Sequence, residues 1–262
     1  MGRIEDVFKN LGPRKAFIPF LTCGYPNIEG FEKLFLTVVE NGADIIEVGL
    51  PFSDPIADGQ VIQNASRIAL KGGINTDIML KSIKKLGKEV DIPVVVMSYF
   101  NPIYCRGVER SLSELKSCGV SGLIIPDLPL EEFYNYKTLF DGAGIDNIML
   151  VSLTTGKERL AEIGKFGKGF VYCVSVKGVT GQRKNIGKGV KKYLQLVRRQ
   201  TKLYTALGFG LSTVKHINEI KESTDGIIIG SKILSLINEG NLEKGLCEVA
   251  GFCKKIKQAL KI

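Results

Sequence analysis

Eight short apolar runs recur along the chain, each followed by a stretch with helical periodicity, and this alternation restricts the available folds more than any motif does. The runs are AFIPFLT (16–22), DIIEVGL (44–50), IPVVVMS (92–98), GLIIPD (122–127), NIMLVSL (147–153), GFVYCVS (169–175), LYTALGF (203–209) and GIIIGS (226–231). None alternates strictly between apolar and polar residues. Continuous apolar runs belong to strands covered on both faces, as in parallel sheets. The stretches between them, such as GFEKLFLTVVENG and SLSELKSCG, have amphipathic spacing and end in Gly, a common helix stop. A β-then-α order repeated about eight times over 262 residues, with no linker or composition break, predicts one (β/α)8 TIM barrel domain spanning residues 1–262. The opening segment MGRIEDVFKNLG predicts a short N-terminal amphipathic helix. A doubly wound open sheet would use the same alternation and is the alternative.

The net charge of +9 invites a nucleic-acid reading. The lysines, however, alternate with apolar residues at helical spacing, as in KSIKKLGKEV and CKKIKQALKI. That pattern predicts solvated outer faces of helices, with no nucleic-acid partner. A basic balance also suits an anionic substrate. No run approaches the ~20 apolar residues that span a bilayer, and the N-terminus lacks the apolar core of a signal peptide. A cytoplasmic protein without a membrane partner is expected. The six cysteines show no CxxC pair and no zinc spacing, and are expected to be buried reduced thiols. The single histidine, His216, rules out a histidine metal cluster and is expected to be a surface or packing residue.

A barrel carries its active site where the strands end. The second run ends in EVGLPFSDPIADG (47–59), which places Glu47 among apolar neighbours and Asp54 and Asp58 in the following loop. An inward Glu47 would lose hydration and have a raised pKa, as suits a group that both donates and accepts a proton near neutrality. Asp54 reads equally as a turn residue. Asp58 precedes Gly59 and a helix-like segment, so capping competes with catalysis. Asp127, between prolines at the end of the fourth run, is either catalytic or part of a rigid rim turn. The Gly- and Lys-rich stretch 176–189 reads as a lid. GFGLS (208–212) and IIIGSK (227–232) put glycines at the ends of the last two strands, a common phosphate position in this fold. The residues alone indicate a metal-free barrel enzyme that acts on a phosphorylated small molecule by carboxylate acid/base chemistry.

Taken together, FIPFLTCGYP, EVGLPFSDPIADG with IQNA following, MSYFNPI, IPDLP, GFVYCVS…GVTG, GFGLS and IIIGSK resemble the tryptophan synthase alpha subunits over essentially the whole chain. The resemblance implies retro-aldol cleavage of indole-3-glycerol phosphate to indole and glyceraldehyde 3-phosphate. Glu47 would be the general acid/base, protonating indole C3 and helping to deprotonate the glycerol hydroxyl. Asp58 would stabilise positive charge at the indole N–H. Tyr172 would line the site near Glu47, with Gly181, Gly210, Gly230 and Ser231 facing the phosphate. Thr180 would be a lid residue packing on Asp58, and Phe20, Thr22, Tyr99 and Phe209 would surround the indole. The chain itself would hold no cofactor. Its implied partner is a beta subunit carrying pyridoxal phosphate, in an alpha2beta2 heterotetramer, which receives the indole for tryptophan synthesis.

Three positions depart from the family pattern. Gln60 stands where Pro is common, Ser152–Leu153 where Ala-Pro is frequent, and Lys232 where Ala usually follows the phosphate-site serine. These departures motivate a second reading, a catalytically weak subunit that serves mainly as an allosteric activator of the beta subunit. Another phosphate-binding barrel is a further alternative.

Overall fold

The computed structural model describes residues 2–174, 188–208, 210–237 and 240–261. Its strands are β1 (Ala16–Thr22), β2 (Ile46–Gly49), β3 (Val94–Met97), β4 (Val120–Ile124), β5 (Asp146–Ile148), β6 (Leu150–Ser152), β7 (Phe170–Val174), β8 (Tyr204–Gly208) and β9 (Gly226–Ile229). They lie in the order β5-β4-β3-β2-β1-β9-β8-β7-β6, and every pair is parallel.

The fifth apolar run supplies two strands where one was expected. β5 pairs with β4, and β6 pairs with β7. The run changes partner at Met149, whose carbonyl accepts the Tyr172 N–H at 3.0 Å, while the Asn147 carbonyl accepts the Lys168 N–H at 3.0 Å. The two ends of the sheet are thereby brought together, and the result is a nearly closed TIM barrel with helices outside. An open doubly wound sheet would keep those ends apart.

The N-terminal helix Arg3–Asn10 forms as expected and buries Ile4 and Phe8. Phe8 stacks on Tyr204 with ring centroids 4.8 Å apart and meets the edge of Phe170 at 5.9 Å. Tyr204 and Phe170 begin β8 and β7, so the helix packs at the N-terminal end of the barrel. Two carboxylates tie the same end together. Asp44 accepts two bonds from the Arg14 guanidinium at 2.9 Å, one from Lys257 at 2.7 Å and one from the Phe17 N–H at 2.9 Å. Asp225 accepts from the Thr205 N–H at 2.9 Å and hydroxyl at 3.2 Å. Conformational precision at this end leaves the opposite strand ends free for chemistry.

Lys81, Lys84, Lys85 and Lys88 are exposed, matching the solvated helix faces read from the sequence. The cysteine expectation needs correction. Cys23, Cys173 and Cys253 are buried free thiols, but Cys105 and Cys247 are exposed and Cys118 is partly exposed. Cys105 and Cys247 lie on outward helix positions, where apolar neighbours in sequence do not imply burial. His216 is a packing residue, 7% exposed, on the helix Val214–Ile220.

The helices Lys157–Phe166 and Lys188–Thr201 are in close contact at Gly164, where an added Cβ would lie 2.6 Å from the Thr201 carbonyl oxygen and 2.7 Å from its Cα. A backbone obstacle cannot rotate away. Gly164→Ala is expected to cost about 1–3 kcal/mol, read as a lower urea midpoint at unchanged m-value. Site chemistry per folded molecule should stay at the parent level, since Gly164 is outside the barrel mouth.

Candidate active site

Five strands send one side chain each into a cavity of about 370 Å³: Phe20 from β1, Glu47 from β2, Met97 from β3, Tyr172 from β7 and Ile228 from β9. The rest of its wall comes from Asp58 to Ile62 on one side and from Gly210 to Ser212, Gly230 to Lys232 and Ser235 on the other. The cavity is therefore apolar and carboxylic at one end, and glycine-, hydroxyl- and lysine-bearing at the other.

Glu47 faces this cavity from the middle of a four-residue strand, in register with Phe20 and Val95. It is 0% exposed, and neither carboxylate oxygen has a hydrogen-bond partner. Burial, and then the charge of Asp58, push its pKa up to about 8. Asp58 is 6% exposed. Burial raises its pKa to about 6, against the opposing pull of a hydrogen bond from the Tyr99 hydroxyl. Two carboxyl groups in one cavity thus differ in ionisation near neutrality, Asp58 charged and Glu47 protonated.

The loop's competing readings separate in the structure. The helix Gln60–Lys71 is N-capped by Gly59 without a side-chain bond, so the Asp58 carboxylate is not its cap. Asp54 is exposed and bonds the neighbouring Ser53 hydroxyl, as a turn residue does. Asp127 is also exposed and accepts the Phe100 N–H at 2.8 Å. It is a rim-turn carboxylate outside the cavity wall.

Tyr172 is buried, and burial, Glu47 and Asp58 together hold its hydroxyl well above the ordinary tyrosine range. Its ring needs Gly208, where a Cβ would lie 2.5 Å from the hydroxyl oxygen. Gly230 makes similar room for Phe20, with a Cβ 2.8 Å from Cδ1. Thr22 and Tyr99 stand behind the main wall. They line a small adjoining pocket of about 10 Å³ with Phe20 and Asp58, and the buried Thr22 hydroxyl has no hydrogen-bond partner. Gly210, at φ +79°, and Ser231 border the polar end of the main cavity. Thr180, Gly181 and Phe209, with most of the expected lid, lie outside the described residues.

Of the three departures, Gln60 and Lys232 do line the cavity. Leu153 packs instead against the core. Sequence reasoning missed Met97, Ile62, Ile228 and Leu211 as apolar wall, and Ser212 and Ser235 as hydroxyls. Ser212 stood within the quoted GFGLS turn, which was a usable signal. Met97 required the strand register. Among the described residues, no group of three or more His, Cys, Asp or Glu side chains is placed to hold a metal ion, and no helix is long and apolar enough to cross a membrane.

Comparison with known proteins fits this geometry. The family model described as tryptophan synthase alpha chain matches residues 8–261. The chain belongs to the tryptophan synthase alpha chain family. The alpha chain of Thermoanaerobacter pseudethanolicus is 43% identical over 264 residues, covering 99% of this chain and 100% of the relative. That of Petrotoga mobilis is 41% identical over 259 residues, covering 98% and 99%. Among solved structures, tryptophan synthase of Mycobacterium tuberculosis aligns with a TM-score of 0.90 at 30% identity, covering 100% of this chain and 99% of that one. The tryptophan synthase alpha subunit of Legionella pneumophila aligns with a TM-score of 0.90 at 30% identity, covering 99% and 98%.

The burial of Glu47 makes stability depend on pH. Its carboxyl titrates near 4.5 when unfolded and at about 8 when folded. Between these values the folded alpha chain binds the extra proton, so this residue's contribution to stability falls as pH rises through that window. Glu47→Gln removes the slope. Relative to the parent, the variant should gain on the order of 4 kcal/mol between pH 4 and pH 9. Urea unfolding at both pH values checks this, and equal gains at the two would contradict the buried neutral acid.

Proposed function

We propose that the chain cleaves indole-3-glycerol phosphate to indole and glyceraldehyde 3-phosphate, with Glu47 as general acid and base and Asp58 as electrostatic partner. The observation that carries this reading is a buried, unpaired Glu47 beside a second carboxyl group, with pKa values of about 8 and about 6. Protonated Glu47 gives its proton to C3 of the indole ring. The resulting positive charge rests on the ring N–H, where the Asp58 carboxylate accepts a hydrogen bond. Glu47, now ionised, takes the proton of the glycerol hydroxyl on the carbon joined to the ring. That oxygen becomes the aldehyde, the carbon–carbon bond breaks, and its electron pair returns to the ring. No proton is gained or lost overall, and Glu47 ends protonated as it began.

The rest of the cavity divides the substrate between its two ends. Phe20, Met97, Ile62 and Tyr172 would hold the indole. Gly210, Gly230 and Ser231 would face the phosphate, helped by Ser212, Ser235 and Lys232. Thr22 and Tyr99 would act from behind, against Asp58. By the family resemblance, Gly181 would also face the phosphate, Thr180 would pack on Asp58 and Phe209 would complete the indole pocket. The chain would work as one barrel domain, in the cytoplasm, without a cofactor of its own.

Its partner would be a beta subunit carrying pyridoxal phosphate, in an alpha2beta2 heterotetramer that receives the indole. Ile56, 76% exposed beside the Asp58 loop, and Tyr104, 60% exposed on the same rim, give such a partner apolar surface to cover. The second reading, an activator with little chemistry of its own, rests on Gln60 and Lys232 in the cavity wall. Retention of both carboxyl groups favours the lyase.

Two measurements test the proposal. Purified chain should release indole from indole-3-glycerol phosphate, faster with a matched beta subunit. Glu47→Gln should lose roughly 10³-fold or more in kcat while binding substrate within a few-fold. Near-normal turnover in that variant would remove Glu47 from the mechanism, and beta activation without any indole release would favour the second reading. Because the active form has Asp58 ionised and Glu47 protonated, kcat/KM should be bell-shaped, rising near pH 6 and falling near pH 8. Asp58→Asn should remove the acid limb that belongs to the enzyme and keep an alkaline limb, moved to lower pH because Glu47 loses the charge beside it.

A further inference from the structure

The Asp58 loop is held from outside its own segment by Tyr99. The Tyr99 hydroxyl accepts the Ala57 N–H at 2.9 Å and hydrogen-bonds the Asp58 carboxylate. Its ring stacks on Phe52 with centroids 5.1 Å apart and planes 26° from parallel. One side chain thus touches the loop at its beginning and its end.

What fixes Tyr99 is the peptide unit that follows it. Its carbonyl accepts the Ser98 hydroxyl at 2.9 Å, and the N–H of the same unit, on Phe100, donates to Asp127 Oδ1 at 2.8 Å. This peptide opens the helix Phe100–Arg106, where Tyr99 is extended at φ −66° and ψ 157°. A carboxylate on the first N–H of a helix makes a charge-assisted bond. Asp127 belongs to the turn after β4, between Pro126 and Pro129, whose fixed φ angles stiffen it. Asp127 is absent from the cavity wall, so it touches no substrate there.

We propose that Asp127 is a positioning residue for the lyase reaction: through the Phe100 N–H it orients Tyr99, and through Tyr99 it sets where Asp58 sits. The inference rests on the role given to Asp58 above. The ionisable groups around Asp58 are Glu47 on β2, Tyr172 on β7 and Tyr99 after β3, with Lys232 in the opposite wall. Of these, Tyr99 also feels the charge of Asp127, which adds to burial and Asp58 in raising its hydroxyl, and Asp127→Asn removes that charge while keeping an acceptor. The Tyr99 bond favours the charged form of Asp58 and burial opposes it. Loosening Tyr99 therefore leaves burial less opposed, and Asp58 should titrate at higher pH.

The test uses the full chain with its beta subunit, comparing the parent with Asp127→Ala, Asp127→Asn, Tyr99→Phe and the Asp127→Ala/Tyr99→Phe double variant. Asp127→Ala should lower kcat about tenfold, within the range expected for a misplaced group, and move the acid limb of kcat/KM upward by about half a pH unit or more. Asp127→Asn keeps an acceptor oxygen and should recover most of both. In the Tyr99→Phe background, removing Asp127 should shift the limb no further. A lower melting temperature with kcat and limb unchanged would reduce Asp127 to a helix cap and overturn the proposal, as would a shift that persists without the Tyr99 hydroxyl. An NMR titration of the carboxyl carbon of Asp58, on isolated chain without substrate, separates this inference from the assigned reaction. An upward shift in Asp127→Ala supports positioning even if no indole is released, and no shift or a downward one overturns it.

Discussion

Everything at the barrel mouth depends on one costly act, the burial of a carboxyl group with no hydrogen-bond partner. Glu47 stands on a four-residue strand, 0% exposed. As an anion there it would lose hydration worth several kcal/mol without compensation. The fold meets this by keeping the group neutral, which is what makes it an acid at ordinary pH. The same burial would suppress ionisation of Asp58 more strongly if Tyr99 did not supply a hydrogen bond to it. Acid and anion are therefore assigned by the partners each carboxyl has, and the chemical identity of the side chains plays little part.

Such a site needs rigidity from elsewhere. Asp44 and Asp225, at the beginnings of the strands, are surrounded by donors: a guanidinium, an ammonium, a hydroxyl and backbone N–H groups. At the ends of the strands Glu47 and the Thr22 hydroxyl lack hydrogen-bond partners. Asp44 and Asp225 thus hold one end of the barrel with satisfied carboxylates, while the unpartnered Glu47 works at the other. The glycines at the mouth follow the same division. Gly208 and Gly230 make room for Tyr172 and Phe20, so large side chains can form the wall on a short-strand scaffold.

Much of this was legible in the chain because strand burial and helix amphipathicity are local patterns. All eight apolar runs overlap observed strands, and Glu47 stood out because a charge within such a run has few structural explanations. The break at Met149 was not legible. It reflects which neighbours β5 and β6 meet, and a strand's partners are not written in its own residues. The acidic loop was half legible for the same reason. Spacing could not separate Asp58 from Asp54, since Asp58 is placed by Tyr99, whose hydroxyl holds the Ala57 N–H from 42 residues away, while Asp54 bonds the adjacent Ser53. Cys105 and Cys247 misled because local apolar company does not say which way a helical side chain points.

Tyr99 also shows why the resemblance to a family, though it names the pocket, leaves the workings open. A residue expected to surround an aromatic ring lies behind the main wall, with its hydroxyl on the loop and its ring on Phe52. Its own placement derives from a peptide unit held by Ser98 on one side and Asp127 on the other. Three consecutive strand ends are thereby coupled: β2 bears the acidic loop, β3 the tyrosine and β4 the rim carboxylate. A partner covering the rim at Tyr104 or at the Asp127 turn would press on this chain of hydrogen bonds without reaching into the cavity. In a barrel whose strand starts are fixed by paired charges, the strand ends are where such pressure can alter the position of an acid.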